Sequence, residues 1–89
     1  MKEIKNWEAV IQNEEGDEQI AIPLPGCIIK GQIEESGIKV QTKDVDMSNS
    51  IVVGLDEQEY LLAGANKEYL KNIAACIEVG REERYGEER

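Results

Sequence analysis

The sequence predicts an α+β fold, in which a small antiparallel meander sheet or partly open β-barrel of about five to six strands precedes one C-terminal helix. Segments of alternating apolar and polar residues, the period of a half-buried strand, run from residue 7 to residue 63. Turn-forming residues separate these segments, and β-branched residues are frequent within them. After residue 66 the apolar residues recur at helical spacing instead. A chain of 89 residues with this pattern makes a single domain, 1–89.

The first predicted strand covers residues 7–12. Trp7, Ala9 and Ile11 alternate with the residues between them, so we expect them on one face of a sheet. Ile4, Trp7 and Ile11 also have the spacing of a short helix, and both interpretations stay open for this segment.

The second predicted strand follows an acidic turn and contains a proline. Ile20, Ile22 and Leu24 alternate with their neighbours, and we expect them to face inward. Because Pro23 cannot donate a hydrogen bond to a ladder, the strand should lie at an edge or leave the sheet there. Pro25-Gly26 is a strong turn signal.

Two hairpins are predicted next. Residues 29–34 and 38–43 form the first, which is apolar on one face and charged on the other. A polar loop at 43–50 leads to the second, formed by residues 50–55 and 60–63. Its strands are apolar on both faces, which indicates that they are covered from two sides.

A helix is predicted for residues 67–79, with Asn66 as its N-cap. Its apolar stripe consists of Leu70, Ile73, Ala74 and Ile77. We expect this stripe to cover the apolar face of the sheet and so to complete a folded body of residues 1–79. Residues 80–89 are expected to form a polar C-terminal tail.

The charge balance is the strongest compositional bias, with 19 acidic residues against 10 basic ones and a net charge of −9. Nucleic acids and anionic membranes carry the same sign, so direct binding to either is disfavoured. No apolar run approaches the roughly 18 residues of a membrane span. Residues 1–8 carry charges where a signal peptide needs an apolar segment, so we expect a cytoplasmic protein.

The residue types leave little room for catalysis or metal binding. Without histidine, neither a Ser-His-Asp nor a Cys-His arrangement can form. Cys27 and Cys76 lie among apolar neighbours and are expected to be buried and reduced. A calcium-like loop begins at Asp44, but its sixth position is Asn49 instead of glycine and its twelfth is Leu55 instead of glutamate. We therefore expect no metal, no cofactor and no enzymatic activity.

Nine carboxylates, with no basic residue among them, fall in three predicted turns. They are Glu14, Glu15, Asp17, Glu18, Glu34, Glu35, Asp56, Glu57 and Glu59. If the strands run up and down in chain order, all three turns share one end, provided that Pro25-Gly26 reverses the chain. If the chain only bends there, the first turn lies opposite the other two. Solvation of a small protein explains these carboxylates in one interpretation, and docking of a basic partner explains them in the other.

Three functional hypotheses follow. The leading one is a non-catalytic acidic interaction protein whose nine carboxylates bind a basic protein surface, for example an inhibitor or immunity-type protein acting on a nucleic-acid-handling enzyme. The second is a small-molecule-binding or sequestering protein that acts as a homo-oligomer, with a ligand pocket near Trp7 and Tyr60. The third is a structural or assembly subunit with an interface at the apolar hairpin that contains residues 51–55.

Overall fold

The computed structural model describes residues 1–74, which form six β-strands and the start of one helix. The strands are β1 (Lys2–Gln12), β2 (Glu18–Ile20), β3 (Ile28–Ile33), β4 (Ser36–Asp46), β5 (Ile51–Gly54) and β6 (Glu59–Ala65). The helix, α1, begins at residue 67 and continues to residue 74. The predicted α+β class is confirmed. The predictions for helix residues 75–79, for Cys76 and for the tail at 80–89 lie outside the described residues.

Five of the six strands form a closed ring of hydrogen-bonded neighbours in the order β1-β3-β4-β5-β6, and β6 returns to β1. Four of the five pairs in the ring are antiparallel, whereas β1 and β6 are parallel. An odd number of strands cannot alternate direction all the way round, so one parallel pair is unavoidable. β2 lies outside the ring and pairs with the last residues of β1.

β1 carries a bulge at Asn6, and the edge that pairs with β6 as far as Trp7 pairs with β2 from Val10 onward. Asn6 has a φ of 54°, a left-handed conformation that asparagine tolerates better than most residues. This bulge puts both Ile4 and Trp7 into the core although they are three positions apart. Gly31 of β3 faces the bulge, and a Cβ there would lie 2.6 Å from Cγ2 of Ile4 and 2.8 Å from the carbonyl oxygen of Lys5. Glycine is therefore required at this close approach of the two strands.

The core fills the inside of the ring and is closed by α1. Its buried members are Ile4, Trp7, Ala9, Cys27, Ile29, Val40, Val52, Tyr60, Leu62 and Tyr69. Asn66 is the N-cap of α1, as predicted, because its Oδ1 accepts a hydrogen bond of 3.0 Å from the backbone N–H of Tyr69. The helix packs Tyr69 and Ile73 against the core, whereas Leu70 is exposed. The predicted stripe is thus wrong at Leu70 and at Ala74, which is also exposed.

Residues 21–27 form a crossover that carries the chain from one side of β1 to the other. β2 and β3 both pair with β1 in antiparallel fashion, so they run in the same direction. Leu24–Cys27 is a tight turn closed by a 3.0 Å hydrogen bond from Cys27 N–H to Leu24 C=O, with Gly26 at a φ of 96°. The turn is real, but it sits inside the crossover and does not pair the strands on either side of it.

Two buried hydroxyls hold the crossover in place. The Thr42 side chain donates a 2.8 Å hydrogen bond to the carbonyl of Cys27. The Tyr69 hydroxyl donates a 2.7 Å hydrogen bond to the carbonyl of Ala21. The crossover is therefore fixed at its two ends, by β4 and by α1.

The prediction that Ile20, Ile22 and Leu24 face inward is wrong. Their side chains are 42%, 55% and 61% exposed. β2 contains three residues only, and the chain leaves the sheet before Pro23, so the alternation does not continue along one strand. Ile11 is also exposed, because β1 extends there beyond its last partner in β3.

Candidate functional site

The topology divides the nine predicted carboxylates between the two ends of the ring. The turn at 13–17 lies at the end where β1, β4 and β6 finish and α1 begins, here named the helix end. The turns at 34–35 and 55–58 lie at the opposite end, here named the hairpin end. The prediction of one acidic pole is therefore wrong. That prediction required Pro25-Gly26 to reverse the chain. The chain only bends there, since β2 and β3 run in the same direction, and the first turn lies opposite the other two.

Glu18 forms ion pairs instead of standing free in solvent. Its carboxylate lies 2.8 Å from Nζ of Lys30 and 3.2 Å from Nζ of Lys39. Hydrogen bonds from these two lysines hold the pKa of Glu18 below its ordinary value. Because β2 does not pair with β3 or β4, these contacts show that the β1–β2 hairpin leans over the outer face of both strands.

Lysines are interleaved with the carboxylates of the hairpin end. Glu57 forms an ion pair with Lys43. Lys2 and Glu59 line one shallow surface cavity together. Another such cavity is lined by Lys5 together with Glu34. The hairpin end is therefore a mixed surface and not a uniformly acidic one.

The turn at 13–17, here named the acidic turn, is organised by Asn13. The side-chain Oδ1 of Asn13 accepts hydrogen bonds of 3.0 and 2.9 Å from the backbone N–H groups of Glu15 and Asp17. Gly16 supplies the positive φ, 90°, that the turn needs. The side chains of Glu14, Glu15 and Asp17 are exposed, and none takes part in an ion pair formed by residues 1–74.

An apolar groove of about 370 Å³ lies between the end of β1 and the crossover. It is lined by Ile11, Ala21, Ile22, Leu24, Pro25, Gly26 and Cys27. Exposed apolar side chains grouped around a groove in this way offer a candidate interaction surface. Sequence reasoning missed the groove because it placed Ile22 and Leu24 in the core. The signal that could have revealed it is Pro23, inside the predicted strand, followed so closely by the Pro25-Gly26 turn.

Trp7 and Tyr60, the residues predicted to line one ligand pocket, lie near opposite ends of β6. Tyr60 pairs in register with Lys2, whereas Trp7 pairs with Ala65. The Trp7 ring packs in the core, 5.5 Å from the ring of Tyr69. The structure therefore does not bring Trp7 and Tyr60 into one pocket.

Tyr60 does line a cavity of about 500 Å³ at the hairpin end, together with residues of β4 and of the turn that follows β5. Its hydroxyl donates a 3.2 Å hydrogen bond to Oδ2 of Asp56. Burial and the neighbouring Asp56 carboxylate raise the pKa of Tyr60. The hydroxyl therefore acts as a neutral donor at physiological pH.

Asp46, in the loop that begins like a calcium site, is used to build a turn. It accepts hydrogen bonds from the backbone N–H of Ser48, at 3.1 Å, and from the side chain of Asn49, at 2.8 Å. These hydrogen bonds lower the pKa of Asp46, and the one from the Asn49 side chain has the largest effect. Within residues 1–74 no group of three or more metal-binding side chains comes together.

Among the described residues, α1 is too short and too polar to cross a lipid bilayer. Comparison of the chain with protein-family models, with curated proteins and with solved structures found no match.

Proposed function

We propose that this chain is a non-catalytic interaction protein that binds a basic protein surface through the helix end of the ring. The observation that carries the proposal is the apolar groove at the helix end, whose wall includes Ile11, two positions before the first residue of the acidic turn. An apolar centre with a charged rim is the usual composition of a protein-binding surface. The groove supplies burial, and the carboxylates attract a partner of opposite charge.

This proposal is narrower than the one that the sequence suggests. Of the nine candidate carboxylates it uses Glu14, Glu15 and Asp17, which are exposed and lie together in the acidic turn. Glu18 is assigned to the internal pairing with Lys30 and Lys39. The five acidic residues at the hairpin end are left as a solvated surface mixed with lysines.

Affinity capture from the native host with matched baits tests the proposal. The first variant, Glu14→Gln/Glu15→Gln/Asp17→Asn, removes three negative charges from the acidic turn. We expect it to bind the captured partner about tenfold more weakly than the unmodified chain, since each exposed charge pair contributes modestly. Binding of the unmodified chain should also weaken as salt rises, because screening shortens the reach of exposed charges.

The matched control removes the same number of charges from the other end. Glu34→Gln/Glu35→Gln/Glu59→Gln should leave the affinity within about twofold of the unmodified value. An equal loss of affinity with both variants would mean that net charge alone drives association. Unchanged affinity with both variants would mean that the acidic turn has no role in binding. Either result overturns the proposal.

The inhibitor or immunity-type version adds that the partner handles nucleic acid. Such an enzyme carries a basic surface that duplex DNA also occupies. This version predicts that short duplex DNA competes with the chain for the captured partner. A partner that binds the chain and DNA at the same time would refute this version only.

A second candidate function has its own observation, the cavity beside Tyr60. Buried polar groups at the mouth of a small ring are typical of ligand pockets. Binding of a small molecule there would raise the thermal midpoint of the unmodified chain and not that of a Tyr60→Phe variant. The charge variants of the acidic turn would leave that rise unchanged.

A further inference from the structure

The outer edge of β2 presents backbone groups that no strand covers. Asn13 N–H donates to Asp17 C=O at 3.0 Å, and Ala21 N–H donates to Ala9 C=O at 2.9 Å. Odd-numbered residues on this side of the hairpin therefore direct their backbone groups toward β1. Because neighbouring residues of a strand direct these groups to opposite edges, Glu18 and Ile20 direct theirs away from it. Within residues 1–74 β2 has no neighbour on that side.

The surroundings of this edge favour a partner of one kind. The acidic turn leads directly into β2, so positive side chains are attracted to that end of the edge. Ala21 and Ile22, which follow β2 directly, are walls of the apolar groove. An extended segment laid along the edge would therefore meet carboxylates at one end and apolar surface at the other. A segment that carries both basic and apolar side chains along its length can contact both surfaces.

We propose that the partner docks by strand addition, with a basic, extended segment pairing along the free edge of β2 and placing apolar side chains toward the groove. The inference rests on the proposed function and specifies how the basic partner binds. Backbone hydrogen bonds to Glu18 and Ile20 would fix the register of the added strand, and its lysine or arginine side chains would contact the acidic turn. Because β2 has three residues only, the paired region is short, and the groove is needed to supply the rest of the binding energy.

The experiment uses a synthetic seven-residue peptide of alternating lysine and valine as the probe. Its control is the same peptide with alternate backbone nitrogens methylated, which keeps every charge but removes the hydrogen-bond donors on one edge. We expect methylation to weaken binding at least about tenfold, as the loss of two backbone hydrogen bonds predicts. Bound peptide should also slow hydrogen exchange at the amides of Glu18 and Ile20.

On the protein side, Ile20→Pro removes an outward N–H without removing a hydrogen bond to β1, and edge strands tolerate proline. This variant should weaken binding of the unmodified peptide by a similar factor and should change binding of the methylated peptide very little. The exchange measurement needs no variant, so the inference can be refuted even if Ile20→Pro fails to fold. Exchange at Glu18 and Ile20 that is unchanged by bound peptide overturns the inference.

The other outcomes are equally decisive. If methylation of the peptide does not change its affinity but the acidic-turn variant binds the peptide more weakly, strand addition is refuted while the proposed function stands. If neither change matters, both fail. If the amides of Glu18 and Ile20 are already protected from exchange in the free monomer, another part of the same chain covers the edge. If the chain forms a dimer that Ile20→Pro dissociates, a second copy of the chain covers it. Either result overturns the inference.

Discussion

Substitution of Gly31 by alanine should destabilise the protein more than any other single methyl addition to a glycine of the ring. The new Cβ would lie 2.6 Å from Cγ2 of Ile4, 2.8 Å from the carbonyl oxygen of Lys5 and 3.1 Å from Cα of Trp7. Two of these three atoms belong to the backbone of the β1 bulge, which cannot move without disturbing its pairing with β6. Overpacking of this kind costs about 1–3 kcal/mol, and the backbone contacts place Gly31→Ala near the upper value.

The magnitude is large relative to the whole stability of the chain. A domain of 89 residues has a free energy of unfolding of about 4–13 kcal/mol. A loss of about 2–3 kcal/mol should lower the thermal midpoint by about 10–20 °C, measured by circular dichroism or calorimetry.

Gly64 supplies the matched control because it also lies in a strand that pairs with β1. A Cβ built there meets nothing within 4 Å. Gly64→Ala should therefore change the thermal midpoint by only a few degrees, in either direction, since a strain-free alanine restricts the unfolded chain. Equal midpoints for Gly31→Ala and Gly64→Ala would refute the close approach of β1 and β3 described above.

Three further predictions concern side-chain hydrogen bonds and ion pairs. Thr42→Val removes the buried hydroxyl that donates to Cys27 and should lower the free energy of unfolding by about 1–1.5 kcal/mol in urea titration, whereas Thr42→Ser should retain the hydrogen bond. Asn66→Ala removes the cap on the Tyr69 N–H and should cost about 1 kcal/mol, with Asn66→Asp as the variant that keeps the cap. Because its ion pairs lower the pKa of Glu18 below 4.5, the stabilisation that they provide is complete above that pH and is lost as the pH falls through the folded-state pKa. At pH 7 in low salt, the thermal midpoint of the unmodified chain should therefore be higher than that of Glu18→Gln. At pH 2 the two midpoints should be equal, and a difference that persists there would contradict the pairing.

The regular hairpins could be predicted from the sequence because their side chains alternate without interruption. Ile29 and Val40 pair across β3 and β4 in register and both enter the core, as the pattern indicates. Asn66 was also predictable, because a cap is a local interaction between residues three positions apart. In these segments local preference and tertiary packing agree.

The rest depended on contacts that no local pattern contains. The Asn6 bulge shifts the alternation by one residue, so Ile4 and Trp7 take on a helical spacing inside a strand. The crossover depends on hydrogen bonds to Thr42 and Tyr69, which are distant in the sequence from the residues that they hold. Pro25-Gly26 has the chemistry of a turn in either topology, so it could not show on which side of β1 the next strand would pair. The gathering of all three acidic turns at one end depended on this choice and was therefore wrong.

The parallel contact between β1 and β6 has a consequence for synthesis of the chain. Lys2 pairs with Tyr60 and Ile4 pairs with Leu62, so β1, which is synthesised before the other five strands, finds this neighbour only after nearly all the described residues have followed. Until then one side of the nascent β1 has no native partner over its first half, and Ile4 and Trp7 have no closed core to enter. Folding dominated by such distant pairings is slow and leaves newly made chains open to aggregation. Translational arrest before β6 should therefore yield chains that chaperones hold, whereas release after residue 65 should yield chains that can close the ring.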